Sequence, residues 1–248
     1  MKFRTFSFLG ISAAVLFSLG GDLSAGSDRL ADDNDDLIDD SDRLIEPAIE
    51  RNDPGTGTGT LDIRADVAAF DEDGGFVTEF SVRVRNGLGE PVTGATVTIT
   101  NAGFGEVTLL DVEGSGKYVA RRNTFYEGDF TLSVVSGTDF AEGVVLGGLG
   151  IHTITEPVAN STVKAGQDLT VRWDVPSQAR SAEVETRDYG PVLLPDTGAV
   201  IIPGASNPTN LERRIRVFRF NEVDIAGALY GSRMRVEVRQ SVDPLIVE

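Results

Sequence analysis

Residues 82–99 read Val82-Arg83-Val84-Arg85-Asn86-Gly87-Leu88-Gly89-Glu90-Pro91-Val92-Thr93-Gly94-Ala95-Thr96-Val97-Thr98-Ile99. Apolar and polar residues alternate up to Arg85, a turn pair follows at Asn86-Gly87, and alternation resumes with Ala95, Val97 and Ile99. A period of two sends successive side chains to opposite faces, so the stretch predicts two half-buried strands joined by a connection shaped by Gly and Pro. The same period recurs on both sides. Upstream lie Leu61, Ile63, Ala65 and Val67, then Phe80; downstream lie Val107 with Leu109, Tyr118 with Ala120, and Phe130, Leu132 and Val134. Turn signals separate them at Asp73-Gly74-Gly75, Asn101-Ala102-Gly103 and Glu113-Gly114-Ser115-Gly116. About seven short strands at this spacing, with no long amphipathic helix, predict a β-sandwich over residues 61–152.

A second pattern begins at Ile154. Leu169, Val171, Trp173 and Val175 share one strand face, which makes the single Trp a core residue. Ala182 with Val184, Val200 with Ile202, Ile215 with Val217, and Met234 with Val236 and Val238 continue the alternation to the end. Phe218 and Phe220 disturb it beside Ile215 and Val217 and predict a bulge or strand end there. The expectation is all-β, with two Ig-like β-sandwich modules at 61–152 and 153–248.

Both halves resemble known modules. The Gly89-x-Pro91-Val92-x-Gly94-Ala95-x-Val97 run between strands, followed by Gly116-Lys117-Tyr118, resembles bacterial Ig-like and carboxypeptidase-regulatory-like domains over residues 75–135. Residues 154–205 resemble the Ig-like domain of the fungal cell-wall KNH-type family and its bacterial relatives. That likeness is carried by Ile154, Pro157, Ala165, Gly166, Leu169, Val171 and Trp173, then Gly198, Ile202 and Pro203. The first resemblance implies a spacer, assembly or adhesive role; the second implies a surface or secreted β module and transfers no catalytic residue.

The start of the chain reads differently. Lys2 and Arg4 precede an apolar run from Phe6 to Leu19, the layout of a signal peptide within residues 1–27. That run is too short to span a bilayer, so no transmembrane span is expected in the mature protein. Gly21 stands where a lipoprotein signal carries its cysteine, and the chain has no cysteine; a cysteine-linked lipid anchor and disulfides are therefore both excluded. Residues 28–60, rich in Asp and ending in Pro54-Gly55-Thr56-Gly57-Thr58-Gly59-Thr60, predict an acidic flexible linker. Within it Asp32, Asn34 and Asp36 alternate, with Asp39 close by, in a way that resembles the oxygen-rich calcium loops of EF-hand-like, dockerin and thrombospondin repeats. Leu37 occupies the place of the turn glycine. Asp71 and Asp73 form a second acidic group near a sandwich end. Calcium is thus the one ion the sequence suggests; no other cofactor is indicated.

Charge points away from nucleic acid: the chain carries a net −17, which repels phosphates. The imbalance sits in the first two thirds; residues 158–248 hold 11 basic and 12 acidic side chains. There Arg213, Arg214, Arg216, Arg219, Arg233, Arg235 and Arg239 form candidate ligand-binding residues for an acidic glycan or for the acidic N-terminal module. Chemistry has little to work with. His152 is the single histidine, which removes a His-based zinc site, and no nucleophile motif surrounds it. Gly147-Gly148-Leu149-Gly150 lacks the Lys of a phosphate loop. The expectation is a non-enzymatic secreted, periplasmic or cell-surface protein, presenting modules to an envelope protein or glycan. The alternatives are a calcium-assisted carbohydrate-binding or adhesion module and, more distantly, a glycan hydrolase using paired carboxylates.

Overall fold

The computed structural model describes residues 52–208 and 214–247. The leader, the Asp32–Asp39 group and Arg213 lie outside the described residues. The order of strands is β1 (Thr56–Gly57), β2 (Leu61–Glu72), β3 (Gly75–Asn86), β4 (Thr96–Asn101), β5 (Gly105–Leu109), β6 (Lys117–Arg122), β7 (Phe130–Ser136) and β8 (Asp139–Leu146). Then come β9 (Ile154–Glu156), β10 (Thr162–Lys164), β11 (Leu169–Trp173), β12 (Ser181–Glu185), β13 (Val192–Leu194), β14 (Ala199–Ile202), β15 (Ile215–Asp224), β16 (Arg233–Val242) and β17 (Leu245–Val247). The protein is all-β, and its strands pack as β-sandwiches.

The two halves repeat one topology. In the first, β2-β3-β6 faces β5-β4-β7-β8; in the second, β9-β11-β14 faces β13-β12-β15-β16. Numbered within each half, strands 1, 2 and 5 form one sheet and strands 4, 3, 6 and 7 the other. β10 and β17 add a short parallel pair to the second half.

One pairing joins the halves. β16 runs parallel to β2, in register from Arg233↔Arg64 to Arg239↔Phe70. A single seven-stranded sheet results, β13-β12-β15-β16-β2-β3-β6. Alternation along β16 then supplies three apolar clusters from one face. Met234 and Val236 enter the first core beside Ile63, Val82, Ile99 and Leu132. Val238 meets Ala69, Leu149 and Ala179 in a small cluster flanked by Phe76 and Phe125. Val242 joins Val171, Trp173, Val184 and Ile202 in the second core. Burying each such side chain contributes about 1.5–3 kcal/mol. Strand β16, from the second half of the sequence, thus completes the first core as well as its own.

Local chemistry explains the connections. The Tyr118 hydroxyl donates to the Val92 carbonyl at 2.8 Å and accepts from the Ala95 amide at 2.9 Å, tying the Pro91–Ala95 connection to β6. Gly116, two residues earlier, has φ +71° and sits against the Val84 carbonyl with no room for a Cβ. β15 is regular: its register with β16 is unbroken from Ile215 to Asp224. The expected bulge at Phe218 and Phe220 is absent, because those side chains occupy the outer face while Val217 and Arg219 point inward.

The end of the expected linker is ordered too. β1 pairs with β8, Asp53 bridges Val145, and the Ala226 amide donates to the Pro54 carbonyl at 3.0 Å. Gly57 and Gly227 touch backbone to backbone, so a Cβ on Gly227 would overlap Thr56 and Gly57. Alternating glycines here serve close approach as well as chain freedom. Gly227→Ala is expected to cost about 1–3 kcal/mol, seen as a fall of several degrees in Tm. Gly75→Ala, with open space around it, is expected to stay within about 0.5 kcal/mol.

Candidate functional site

The inner face of the seven-stranded sheet is core; its outer face is a carpet of charge and aromatic rings. From β16 come Arg235, Glu237 and Arg239, from β15 Arg216, Phe218 and Phe220, from β12 Glu183 and Glu185, and from β2 Asp66 and Phe70. Register sets the neighbours: Arg239 lies between Phe218 on one side and Phe70 on the other, and Arg235 between Glu222 and Asp66.

Glu237 is the hub. It is a carboxylate with a side chain only 7% exposed, bound at 2.8 Å by Arg235 and also by Arg239. Arg235 reaches on to Glu183 at 3.4 Å and lays its guanidinium over the Phe220 ring, 3.6 Å from the centroid. Arg239 stands 5.7 and 5.8 Å from the centroids of Phe218 and Phe70, within cation–π range. Arg216 pairs with Glu185 at 2.7 Å. Asp66 stays exposed at the sheet surface; partial desolvation by its neighbours and then the Glu237 charge raise its carboxyl pKa, against the pull of Arg233, Arg235 and Arg239.

Two depressions run along this face. One of about 450 Å³ is lined by Phe70, Glu185, Arg214, Arg216, Phe218 and Arg239, among others. The next, about 510 Å³, is lined by Asp66, Glu183, Phe218, Arg235, Glu237 and Arg239 among its residues. Sharing Phe218 and Arg239, they form one trough with aromatic rings on its floor and guanidinium and carboxylate groups along it. Stacking surface and hydrogen-bonding fork are the chemistry it offers.

Of the arginines singled out by sequence, Arg214, Arg216, Arg235 and Arg239 meet here. Arg233 sits at the strand end, 3.4 Å from Glu222. Arg219 faces the other way, since odd positions of β15 point inward. It is fully buried and bonded through Nε and Nη2 to Asp196 Oδ2 at 2.9 and 2.6 Å. Asp71 borders the trough at the end of β2, and Asp73 occupies the following turn. Among the described residues no three His, Cys, Asp or Glu side chains converge as metal ligands. Phe70, Phe218, Glu183 and Glu237 were not singled out. The Phe-x-Phe at 218–220, taken as strand alternation, points to Phe218 on the outer face; Phe70, Glu183 and Glu237 lie on other strands and carry no such local signal.

Behind the sheet lies a buried polar network. Asp196 accepts from Trp173 Nε1 at 2.9 Å as well as from Arg219, and Asn221 Nδ2 donates to the Gly147 carbonyl at 3.1 Å. His152 is wholly buried beside it, Nε2 3.2 Å from the Val217 carbonyl and Nδ1 without a partner. Burial first, then the Arg219 charge, lowers its pKa to about 4, against the Val217 bond, Asp174 and Asp196.

No protein-family model matches the chain, and no curated protein matches it. Solved structures similar to it include the fibronectin(III)-like modules of Clostridium thermocellum CbhA, at 13% identity over 74% of this chain and 94% of that one, with a TM-score of 0.26. The Yersinia pseudotuberculosis adhesin InvE matches at 16% identity over 75% of this chain and 61% of the adhesin, with a TM-score of 0.25. At such scores the likenesses carry no argument, and the fold rests on the strand order above. No helix among the described residues is long and apolar enough to cross a membrane.

The folded state keeps His152 neutral, whereas the unfolded chain takes up a proton below pH 6.5. Stability from this group is therefore complete above pH 6.5 and is lost as pH falls toward 4, by about 3 kcal/mol. Urea unfolding from pH 7 to 4 is expected to show a steeper loss in the native protein than in His152→Gln. Equal slopes would place the pH dependence elsewhere.

Proposed function

We propose that the protein is a non-enzymatic exported binding module, in which two fused sandwiches hold a rigid recognition trough toward an envelope or extracellular partner. One observation carries this reading. The parallel β2–β16 pair makes a continuous sheet, and only there do Phe70 from the first half and Arg216, Phe218 and Arg239 from the second meet in one groove. Rigid strands rather than loops position those groups, so little ordering is needed on binding. Rings on the floor suit the apolar face of a sugar or an aromatic side chain, and the arginine forks suit carboxylates. The Asp32–Asp39 and Asp71–Asp73 groups add a calcium-assisted variant of the same reading.

The test is binding of the purified protein to fractionated envelope and a glycan panel, with and without calcium. A saturable component is expected whose affinity falls at least about tenfold, 1.4 kcal/mol, in Arg216→Ala/Arg239→Ala, with folding unchanged. A component bound equally by this variant would move recognition off the trough. Calcium dependence unaffected by these substitutions would transfer it to the acidic groups.

A further inference from the structure

Sheet edges are templates for another strand unless something blunts them. Here most are blunted. β6 carries Lys117, Arg121 and Arg122. β5 carries Glu106 and leads into a backbone bridge between Leu110 and Val119. β13 lies between Pro191 and Pro195, and β9 is three residues long and ends at Glu156 before Pro157. β14 differs. Ala199-Val200-Ile201-Ile202 has no charge and, unlike β13, is flanked by proline on one side only, at Pro203; Ile201 is 61% exposed. Between Asp188 and Glu212 the only charged residue is Asp196, and its carboxylate is occupied inward by Trp173 and Arg219. In a chain with 25% charged residues, this edge is unusually neutral.

The register fixes which backbone groups face out. The Trp173 amide donates to the Gly198 carbonyl at 2.9 Å, and Val171↔Val200 and Leu169↔Ile202 follow at the same phase. The N–H and C=O groups of Val200 and Ile202 therefore address β11, while those of Ala199 and Ile201 point away from it, the Ala199 carbonyl accepting from the Thr197 hydroxyl at 3.3 Å with a second lone pair left for a partner strand.

We infer that β14 pairs antiparallel with β14 of a second copy of this chain, about a two-fold axis through Val200. In that register Ala199 lies opposite Ile201 of the second copy, and the reverse, so each pair exchanges two hydrogen bonds and a small side chain meets a large one. Centring the axis on Ile201 instead would set Ala199 against Pro203, which has no N–H to give. The two β9-β11-β14 sheets become one six-stranded sheet, closed by symmetry and ending on the blunted β9 strands. A four-residue seam buries little area, so the dimer is weak and concentration-dependent. Two bodies of charge −17 repel one another, so salt strengthens it.

Sedimentation velocity of the purified protein over a wide concentration range, at low and high salt, tests this. A monomer–dimer equilibrium favoured by salt is expected, with dissociation at least tenfold easier in Ile201→Lys at unchanged Tm. A monomer throughout, or a dimer indifferent to Ile201→Lys, overturns the proposal. Cysteines give a second readout on a chain that has none. Directly opposed residues in a hydrogen-bonded pair lie about 5.5 Å apart between Cα atoms, within disulfide reach. Mixed Ala199→Cys and Ile201→Cys proteins are expected to form the hetero-disulfide under mild oxidation. Homo-disulfides prevailing would rule out this register, including where the Lys variant folds poorly.

Discussion

The parallel pairing of β2 with β16 is the constraint on which the rest of the structure depends. It brings together strands separated by most of the folded chain, and each strand then works on both faces. Inward, Met234 and Val236, together with Ile225, close a core otherwise built from residues 61–146. Outward, Arg235, Glu237 and Arg239 come beside Asp66 and Phe70. Two sandwiches merely strung in sequence would leave β2 and β16 as two exposed edges and divide the trough between them. Ordering by sheet extension also fixes the angle between modules, because hydrogen-bond register leaves no hinge along the seam.

The charged groups divide by what surrounds them. Arg219 and Asp196 are both withdrawn from water, so their attraction offsets a desolvation cost of several kcal/mol per ion and yields little net stability. Their effect is positional: Asp196 gathers Trp173, Ala179 and Arg219 from three elements and fixes how the β13–β14 connection closes the second core. The outer network around Glu237 is only partly withdrawn. Its arginines keep solvent-facing edges and ring contacts, which leaves them available to a ligand that replaces one ion pair with another.

Much of this was legible in the sequence, and the limits have physical causes. Alternation located the strands because a half-buried strand must alternate. Trp173 was legible as a core residue for the same reason, and the turn residues marked most boundaries. Partner choice between distant strands was not legible, since nothing local in Leu61–Glu72 or Arg233–Val242 encodes which strand lies alongside. Arg219 shows the cost of reading charge as exposure: its place in the alternation was an inward one, and a buried Asp196 compensates it. Asp196 belongs to an Asp-Thr-Gly triplet whose local pattern is that of an ordinary exposed turn. The glycines of the 54–60 stretch suited a linker, yet Gly57 is required by contact with Gly227, which lies 170 residues away in sequence.

The central claim is that the two sandwiches form one cooperative body through a shared sheet. Scanning calorimetry tests it most directly. Because β16 completes both cores, losing either half exposes the other, and the account predicts a single transition with equal calorimetric and van't Hoff enthalpies. Two resolved transitions, one assignable to each half, would contradict it and make the trough an occasional encounter of independent modules.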